Sequence, residues 1–480
     1  MWILGRRTLV GRCAAALVAS AAIAIFLPGS VSGETLESAL VNVYQNNPSL
    51  NSGRASLRAT DESVPQALSG YRPNVSIAVS AGEQRLSSTT KTPGSAGPPN
   101  VPATYSTESG YNSPYGVGVT MTQTLFNGFQ TENRTRQAES QVLAARENLR
   151  LTEQTILLSA VTAYMNLLHD GAILELQQRN VQVLQELLRQ TRERFKVGEV
   201  TRTDVAQSET SLAAGRSQAL LAQANYTASV ATYRQIIGTT PGEVNAATPV
   251  DRFSPRKLSE ALAIGGSQHP SVIMAEYNVD VAQLQVKVAE GTLYPTLSLQ
   301  GNFQKNYMNV GNLDIMQSYT ASILGQLSVP IYQGGAEYSL IRQAKETLGQ
   351  KRLDLETARE QARQTITQSW GQLDAAKANI QATQAQVQAA ETALNGIREE
   401  ARVGQRTTFD VLTAQQSLVN ARVALVTAQH DRVVASYTLL AAVGRLSCKM
   451  LGLHVPSYNA QVHYQQVRDS WAGVRTPDAR

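Results

Sequence analysis

The sequence predicts an α+β membrane protein in which one unit, a membrane-type β-hairpin joined to a very long α-helical hairpin, occurs twice. Three observations point there. Short motifs recur at constant offsets, paired strand-like runs alternate apolar and polar residues, and two long proline-free stretches carry heptads.

The amino terminus sets the compartment. Arg6, Arg7 and Arg12 precede an apolar run from Cys13 to Leu27, then Pro28 and the small residues Gly29-Ser30-Val31-Ser32-Gly33. This reads as a signal peptide over 1–33, cleaved near Gly33. The Arg6-Arg7 pair also fits a twin-arginine signal, but such pairs occur in ordinary secretory leaders, so the general route is expected. Cys13 lies inside the apolar run, which argues against a lipid-anchored cysteine, and Cys448 alone remains after cleavage, so no intrachain disulfide is expected. No later segment approaches about 18 uninterrupted apolar residues, so no membrane helix is expected in the mature chain. Removal of the leader's three arginines leaves 39 basic against 37 acidic residues, a balance that speaks against a nucleic-acid footprint.

The repeat is read from two offsets. Asn47-Pro48-Ser49 returns as His269-Pro270-Ser271, and Tyr71-Arg72-Pro73 as Leu293-Tyr294-Pro295, each 222 positions on. Leu125-Phe126-Asn127-Gly128 returns as Ile331-Tyr332-Gln333-Gly334, Lys196-Val197-Gly198 as Arg402-Val403-Gly404, and Gly238 as Gly444, each 206 positions on. The offset changes between Pro73 and Gly128, where the first copy has the longer loop. The expected division is a first repeat over 34–246, a second over 247–446 and a tail over 447–480.

Each copy holds a strand pair, expected at about 73–126, after helices, and at about 296–332, followed by a helical hairpin expected at about 131–238 with its tip at 198 and at about 336–443 with its tip at 404. Val75, Ile77 and Val79 alternate with Asn74, Ser76 and Ser80, and Tyr115, Val117, Val119 and Met121 with Gly and Thr. Leu297, Leu299 and Phe303, then Tyr319, Ala321, Ile323, Leu327 and Val329, repeat the pattern. Runs of about ten residues suit a tilted strand crossing an outer membrane. A soluble sheet with one wet face is the alternative; against it, the polar faces carry almost no Lys or Glu to guard an edge. Leu86 to Asn112, rich in Ser, Thr, Gly and Pro, is expected to be an exposed loop.

The rods come next. Thr131 to Pro241 and Ala336 to Pro456 lack internal proline, and each is broken once, at Gly198 and Gly404. Ala160, Leu167, Leu174, Val181, Leu188 and Phe195 recur every seven residues, as do Ile366, Leu373, Ile380, Val387, Leu394 and Ala401, marking coiled-coil seams. At the turns, Lys196 and Arg402 sit near the last carbonyls, and Gly198 and Gly404 can take the left-handed conformation that ends a helix. Thr201 and Thr407 begin the return helices with Asp204 and Asp410 three residues on, as in a capping box. The same aspartates have a second reading. In an assembly around an axis, a ring of Asp410 carboxylates would bind cations and restrict passage, with Arg406 able to pair with Asp410 or Asp204.

Little favours an enzyme. His169, His269, His430, His454 and His463 are dispersed, with no metal-binding spacing, and His430-Asp431 reads as a solvated pair. Gly116-x-Gly118 lies in a strand with no following helix, so no nucleotide or other cofactor is expected.

These residues together resemble the TolC family of outer-membrane efflux proteins, over about Thr35 to Leu446. Val403-Gly404-Gln405-Arg406-Thr407-Thr408-Phe409-Asp410-Val411-Leu412 is the most specific stretch. The resemblance implies a homotrimer whose protomers each give four strands to a 12-stranded β-barrel in the outer membrane, continued by a periplasmic α-helical barrel. It implies an exit duct for small molecules, and for proteins in type I secretion, working with a periplasmic adaptor and an inner-membrane pump of RND, ABC or MFS type. By the same carry-over Asp204, Arg406 and Asp410 match a periplasmic gate, and Val197, Gly198, Thr201, Val403, Gly404 and Thr407 the tips that face the adaptor. Thr413 stands where the best-known member has a second aspartate, and Ala401 where it has a gate tyrosine, so a less cation-selective entrance is expected. An adaptor-like or purely structural coiled-coil protein is the alternative, for which the strand pairs would be superfluous.

Overall fold

The computed structural model describes residues 34–94, 96–99, 101–308 and 316–477, so the expected leader lies outside the described residues. In chain order the elements are α1 (Leu36–Asn46), α2 (Pro48–Asp61), α3 (Ser63–Leu68), β1 (Asn74–Ala81), β2 (Gln84–Thr92), β3 (Thr104–Asn112) and β4 (Tyr115–Asn127). Then follow α4 (Gln130–Lys196), α5 (Arg202–Ile237), α6 (Leu258–Gln268), α7 (Pro270–Glu290), β5 (Thr296–Met308) and β6 (Met316–Ser328). The chain ends in α8 (Ala336–Arg402), α9 (Thr408–Ala442) and α10 (Ala460–Val467).

The recurring Asn/His-Pro-Ser motif starts helices. The Asn47 side chain accepts from the Ser49 and Leu50 amides at 2.9 and 3.2 Å, and His269 Nδ1 accepts from the Ser271 amide at 3.2 Å. Pro48 and Pro270 occupy the first helical position, where a missing N–H costs nothing. Both segments close in a single 3-10 turn, Ser69–Tyr71 and Gly291–Leu293, before a proline releases the chain into a strand.

Four of the strands form one antiparallel sheet in the order β1-β4-β5-β6. Its register sorts the side chains cleanly. Val75, Met121, Gly301 and Ile323 share one row, and Ile77, Val119, Phe303 and Ala321 the next. On the opposite face stand Ser76, Thr120, Asn302 and Ser322, then Ala78, Gly118, Gln304 and Thr320. The apolar face is bare, with Ile77 71% and Ile323 81% exposed, which only a lipid or a partner can cover. Both outer strands, β1 and β6, have an unpaired edge. β4 runs through Asn127 past a bulge at Leu125, whereas β6 stops at Ser328 because Pro330 has no amide to give.

The segment expected as a loop is instead a β-ribbon. β2 and β3 pair antiparallel from Gln84↔Asn112 to Thr92↔Thr104 and prolong the β1–β4 hairpin beyond the sheet. Ser and Thr, which made the segment look like a loop, here form cross-strand pairs such as Thr89 with Thr107, whose hydroxyls bond at 2.9 Å.

α4 and α8 are single helices of 67 residues each, about 100 Å long. Their partners are shorter. α5 covers the tip half of α4 and α9 that of α8, while α7 packs against the barrel-side halves of both and α2 and α3 against that of α4. The most apolar part of α4 is not a span but the centre of the main core: Leu157, Val161, Tyr164 and Leu167 are buried with Leu40 and Val43 of α1, Tyr233 and Ile237 of α5, and Tyr437 and Leu440 of α9. In this core Tyr164 Oη donates to the Glu34 and Asn245 carbonyls at 2.8 and 2.6 Å. The seam positions Ala160, Leu167, Leu188, Ile366, Leu373 and Leu394 are buried, whereas Phe195, at the last seam position of α4, is 44% exposed.

Candidate functional site

The candidate site is the pair of helix turns at the far end of the rods. Each descending helix ends in the same six-residue device. At the first turn the Glu199 amide donates to the Arg194 carbonyl and the Gly198 amide to that of Phe195; at the second, Gln405 donates to Glu400 and Gly404 to Ala401. Gly198 and Gly404 both have φ of +80°, a conformation that would strain any other residue here.

The return helices then begin with full capping boxes. The Thr201 amide and hydroxyl both donate to Asp204 Oδ2, at 2.9 and 2.7 Å, and the Asp204 amide donates to Thr201 Oγ1 at 3.3 Å. Thr407 and Asp410 repeat this at 2.9, 2.9 and 3.2 Å. One oxygen of each carboxylate is therefore committed to the cap and the other left for water or a partner. The Thr407 amide, then its hydroxyl, and more weakly Arg406 hold the Asp410 carboxyl below the usual carboxylate range, so it is charged at neutral pH.

Charge across the two turns is inverted. In the first copy Arg194 pairs with Glu199 at 2.9 Å; at the position equivalent to Arg194 the second copy has Glu400, which pairs with Arg406 at 2.8 Å. Arg406 is thus engaged within its own turn, and the expected pairing with Asp410 or Asp204 does not form within the chain. The structure explains why: Glu400, on the last turn of α8, lies opposite Arg406 across the Gly404 bend, whereas both aspartates are held by threonines. Lys196 and Arg402 pair with Glu193 and Glu399 at 2.9 and 3.2 Å.

The two turns lie side by side. Leu412 of α9 packs with Leu184 and Leu188 of α4 and Leu212 of α5 in a small core just above them. Val197 and Val403 project at the tips, 72% and 71% exposed. A groove of about 620 Å³ runs between α4 and α5, floored by Leu188, Leu212 and Ala213 and edged by Arg189, Arg192, Glu193, Lys196, Glu209 and Arg216. A smaller one of about 280 Å³, between α8 and α9, is lined by Ala390, Ala393, Ile397, Arg406, Phe409 and Asp410.

Two cross-rod links escaped the sequence reading. Arg398 of α8 donates to Gln415 Oε1 at 3.0 Å, and Gln415 of α9 donates to Asn180 Oδ1 of α4 at 3.2 Å, with Asn180 and Gln415 buried. A glutamine and an asparagine breaking otherwise small or apolar seams were the available signal. Higher up, His430 is not a solvated residue: its side chain is 16% exposed, and its Nε2 meets Asn166 Oδ1 at 2.8 Å across the α4–α9 contact. His169 stands beside it, ring centroids 5.2 Å apart, with Nε2 3.1 Å from Thr427 Oγ1. Helical neighbours four residues away in sequence could not reveal the partners of Asn180, Asn166 and His169, which are more than 230 residues distant.

Known proteins share this architecture. Residues 39–239 and 263–445 match the family described as outer membrane efflux protein. The chain is 41% identical over 467 residues to the outer membrane efflux protein BepC of Brucella suis biovar 1 (strain 1330), covering 96% of this chain and 97% of that one. It is 26% identical over 432 residues to the outer membrane protein TolC of Escherichia coli (strain K12), covering 85% and 82%. The crystal structure of the outer membrane protein VceC of Vibrio cholerae superposes with a TM-score of 0.70 at 20% identity, over 85% of this chain and 96% of that chain, and so shares the fold. With an α+β fold of lipid-facing strands and long helical rods, the chain belongs to the outer membrane efflux protein family, as an exit duct of the outer membrane.

Proposed function

We propose that three copies of the chain close the sheet into a 12-stranded barrel and bring their rods together as a periplasmic tunnel. One observation carries this reading: a four-stranded sheet with a bare apolar face, a neutral polar face and two unpaired edges. An open edge in hydrocarbon leaves backbone groups unsatisfied at several kcal/mol each, so β1 of one copy must meet β6 of the next. The Ser, Thr, Asn and Gln rows then line the lumen. A lumen of this kind has no selective pocket, so small-molecule efflux, with specificity held by an inner-membrane pump of RND, ABC or MFS type, is the reading adopted; type I protein secretion needs the same duct.

The turns form the gate and the docking end. Asp204 and Asp410 serve as helix caps whose free oxygens converge with those of the other copies, and the Glu400–Arg406 pair braces the second turn. The exposed Val197 and Val403 and the grooves beside them suit the apolar ridge of a helical-hairpin adaptor. The expected division of the chain, a cleaved leader over 1–33 followed by two repeats, belongs to the same reading.

Outer-membrane fractionation followed by native mass measurement tests the assembly. A three-copy species in the outer membrane is expected; a monomer free in the periplasm would overturn it.

A further inference from the structure

We infer that the outward face of the β-ribbon, with the adjoining rim of the sheet, is a binding surface for phosphate-bearing lipid headgroups of the outer leaflet, held by Arg85 and Lys305. The inference rests on the reading that the apolar sheet face meets lipid.

Register carries the first step. Ala81 pairs with Tyr115, the Gly82 amide bonds to the Pro114 carbonyl, and Arg85 pairs with Tyr111, so no residue is inserted where the sheet gives way to the ribbon. Alternation therefore runs on, and Arg85, Ser87, Thr89 and Lys91 continue the face of Val75, Ile77 and Val79. Lys305 stands on this face too, in the row of Val79, Val117 and Tyr319, at the edge of the apolar band.

The side chains supply the chemistry. Lys305 Nζ lies 5.1 Å from the ring centre of Tyr307, which stacks on Tyr115 at 4.7 Å. The Arg85 guanidinium lies 5.9 Å from the ring of Tyr111. Among the described residues neither cation has a carboxylate in ion-pair contact; Glu83 is the one carboxylate on this face, and Glu108 points to the other. A lysine on a lipid-facing strand is tolerated only near the interface, where its stem lies on apolar surface and its ammonium reaches the headgroups. From the Lys305 row to Arg85 is six residues, about 20 Å along the strand and about 15 Å in height once tilted, a span that the two long side chains, reaching toward each other, can shorten to the depth of a headgroup layer. Tyrosine rings with cations above them, placed directly beyond an apolar band, complement an anionic headgroup whose acyl chains lie below. One phosphate would accept from the guanidinium fork of Arg85 and a second from the ammonium of Lys305.

The test uses the purified full-length protein in detergent, with bis-phosphorylated lipid A, its phosphate-free counterpart and inorganic phosphate as probes, read by native mass spectrometry. Lipid A carrying phosphate should bind the wild type, with binding about fivefold weaker in Arg85→Gln and again in Lys305→Gln, and retained in Arg85→Lys. Equal binding of the phosphate-free lipid, or wild-type binding by the double glutamine variant, would overturn the inference. Occupation by inorganic phosphate at the same affinity would overturn the lipid as its source. Should the protein fail to enter the outer membrane at all, the underlying reading falls; should the variants enter normally and bind lipid A as before, this inference alone falls.

Discussion

Asp204 and Asp410 start helices, and the structure makes that role separable from any charge at the gate. A capping box needs an acceptor at the third helical position; a gate needs a negative charge. Asp410→Asn keeps an acceptor oxygen for the Thr407 amide and loses the charge, so it should leave melting near wild type and change ion conductance. Thr201→Ala and Thr407→Ala do the reverse, each costing about 1 kcal/mol of tip stability. Amide hydrogen exchange at the start of α5 and α9 would register that loss. The pH response of Asp410 follows from its depressed pKa. Its contribution is present above the pKa of the unfolded carboxyl and is lost as pH falls through the lower folded value. The protection factor at the α9 start, which is exchange corrected for its intrinsic pH dependence, should therefore stay flat from neutral pH down to the usual carboxylate range and fall only below it; a fall near pH 6 would contradict the cap geometry. The turn glycines and capping threonines were legible in the sequence because they act within six residues. The partner of Arg406 was not, since choosing among Glu400, Asp204 and Asp410 requires knowing which way the Gly404 bend carries the side chain.

Among the elements, the rods could be read from missing prolines and sevenfold spacing, and α4 and α8 have the same length in both copies. The ribbon could not. Leu86 to Asn112 holds Ser, Thr, Gly and Pro in loop-like proportion, and what pairs β2 with β3 is a register continued from β1 and β4, which composition does not record. The links between rods were equally hidden. Arg398, Gln415 and Asn180 tie α8, α9 and α4 together above the turns, so the two hairpins are coupled there. Gln415→Leu removes that tie and leaves Asn180 buried without its partner, at about 1–3 kcal/mol. A lower melting temperature together with a larger open fraction in conductance traces is expected; an unchanged open fraction would mean the tie is structural only. The carboxyl-terminal segment is held by a different pair, His463 Nδ1 at 3.0 Å from Asp61 Oδ2, both buried. Burial is the chief reason the Asp61 carboxyl sits above its usual range. His463→Ala strands that carboxyl, so α10 should become protease-sensitive while the rods stay intact.

At the scale of the whole molecule, a single chain is an unfinished object. It exposes an apolar sheet face, two open strand edges and apolar tips, each of which asks for something outside itself: lipid, further copies, and a docking partner. The tandem repeat supplies two hairpins with matched rods, and at the turns where the gate is proposed the copies differ at Arg194 against Glu400, Glu199 against Gln405 and Thr203 against Phe409. The assembled chain is expected to conduct. Single-channel recording of the purified oligomer in planar bilayers tests it most directly. Discrete channels of low resting conductance are expected, with Asp410→Asn and Arg406→Ser changing the conducting state, whereas bilayers that stay silent with correctly assembled protein would show that the chain forms no duct.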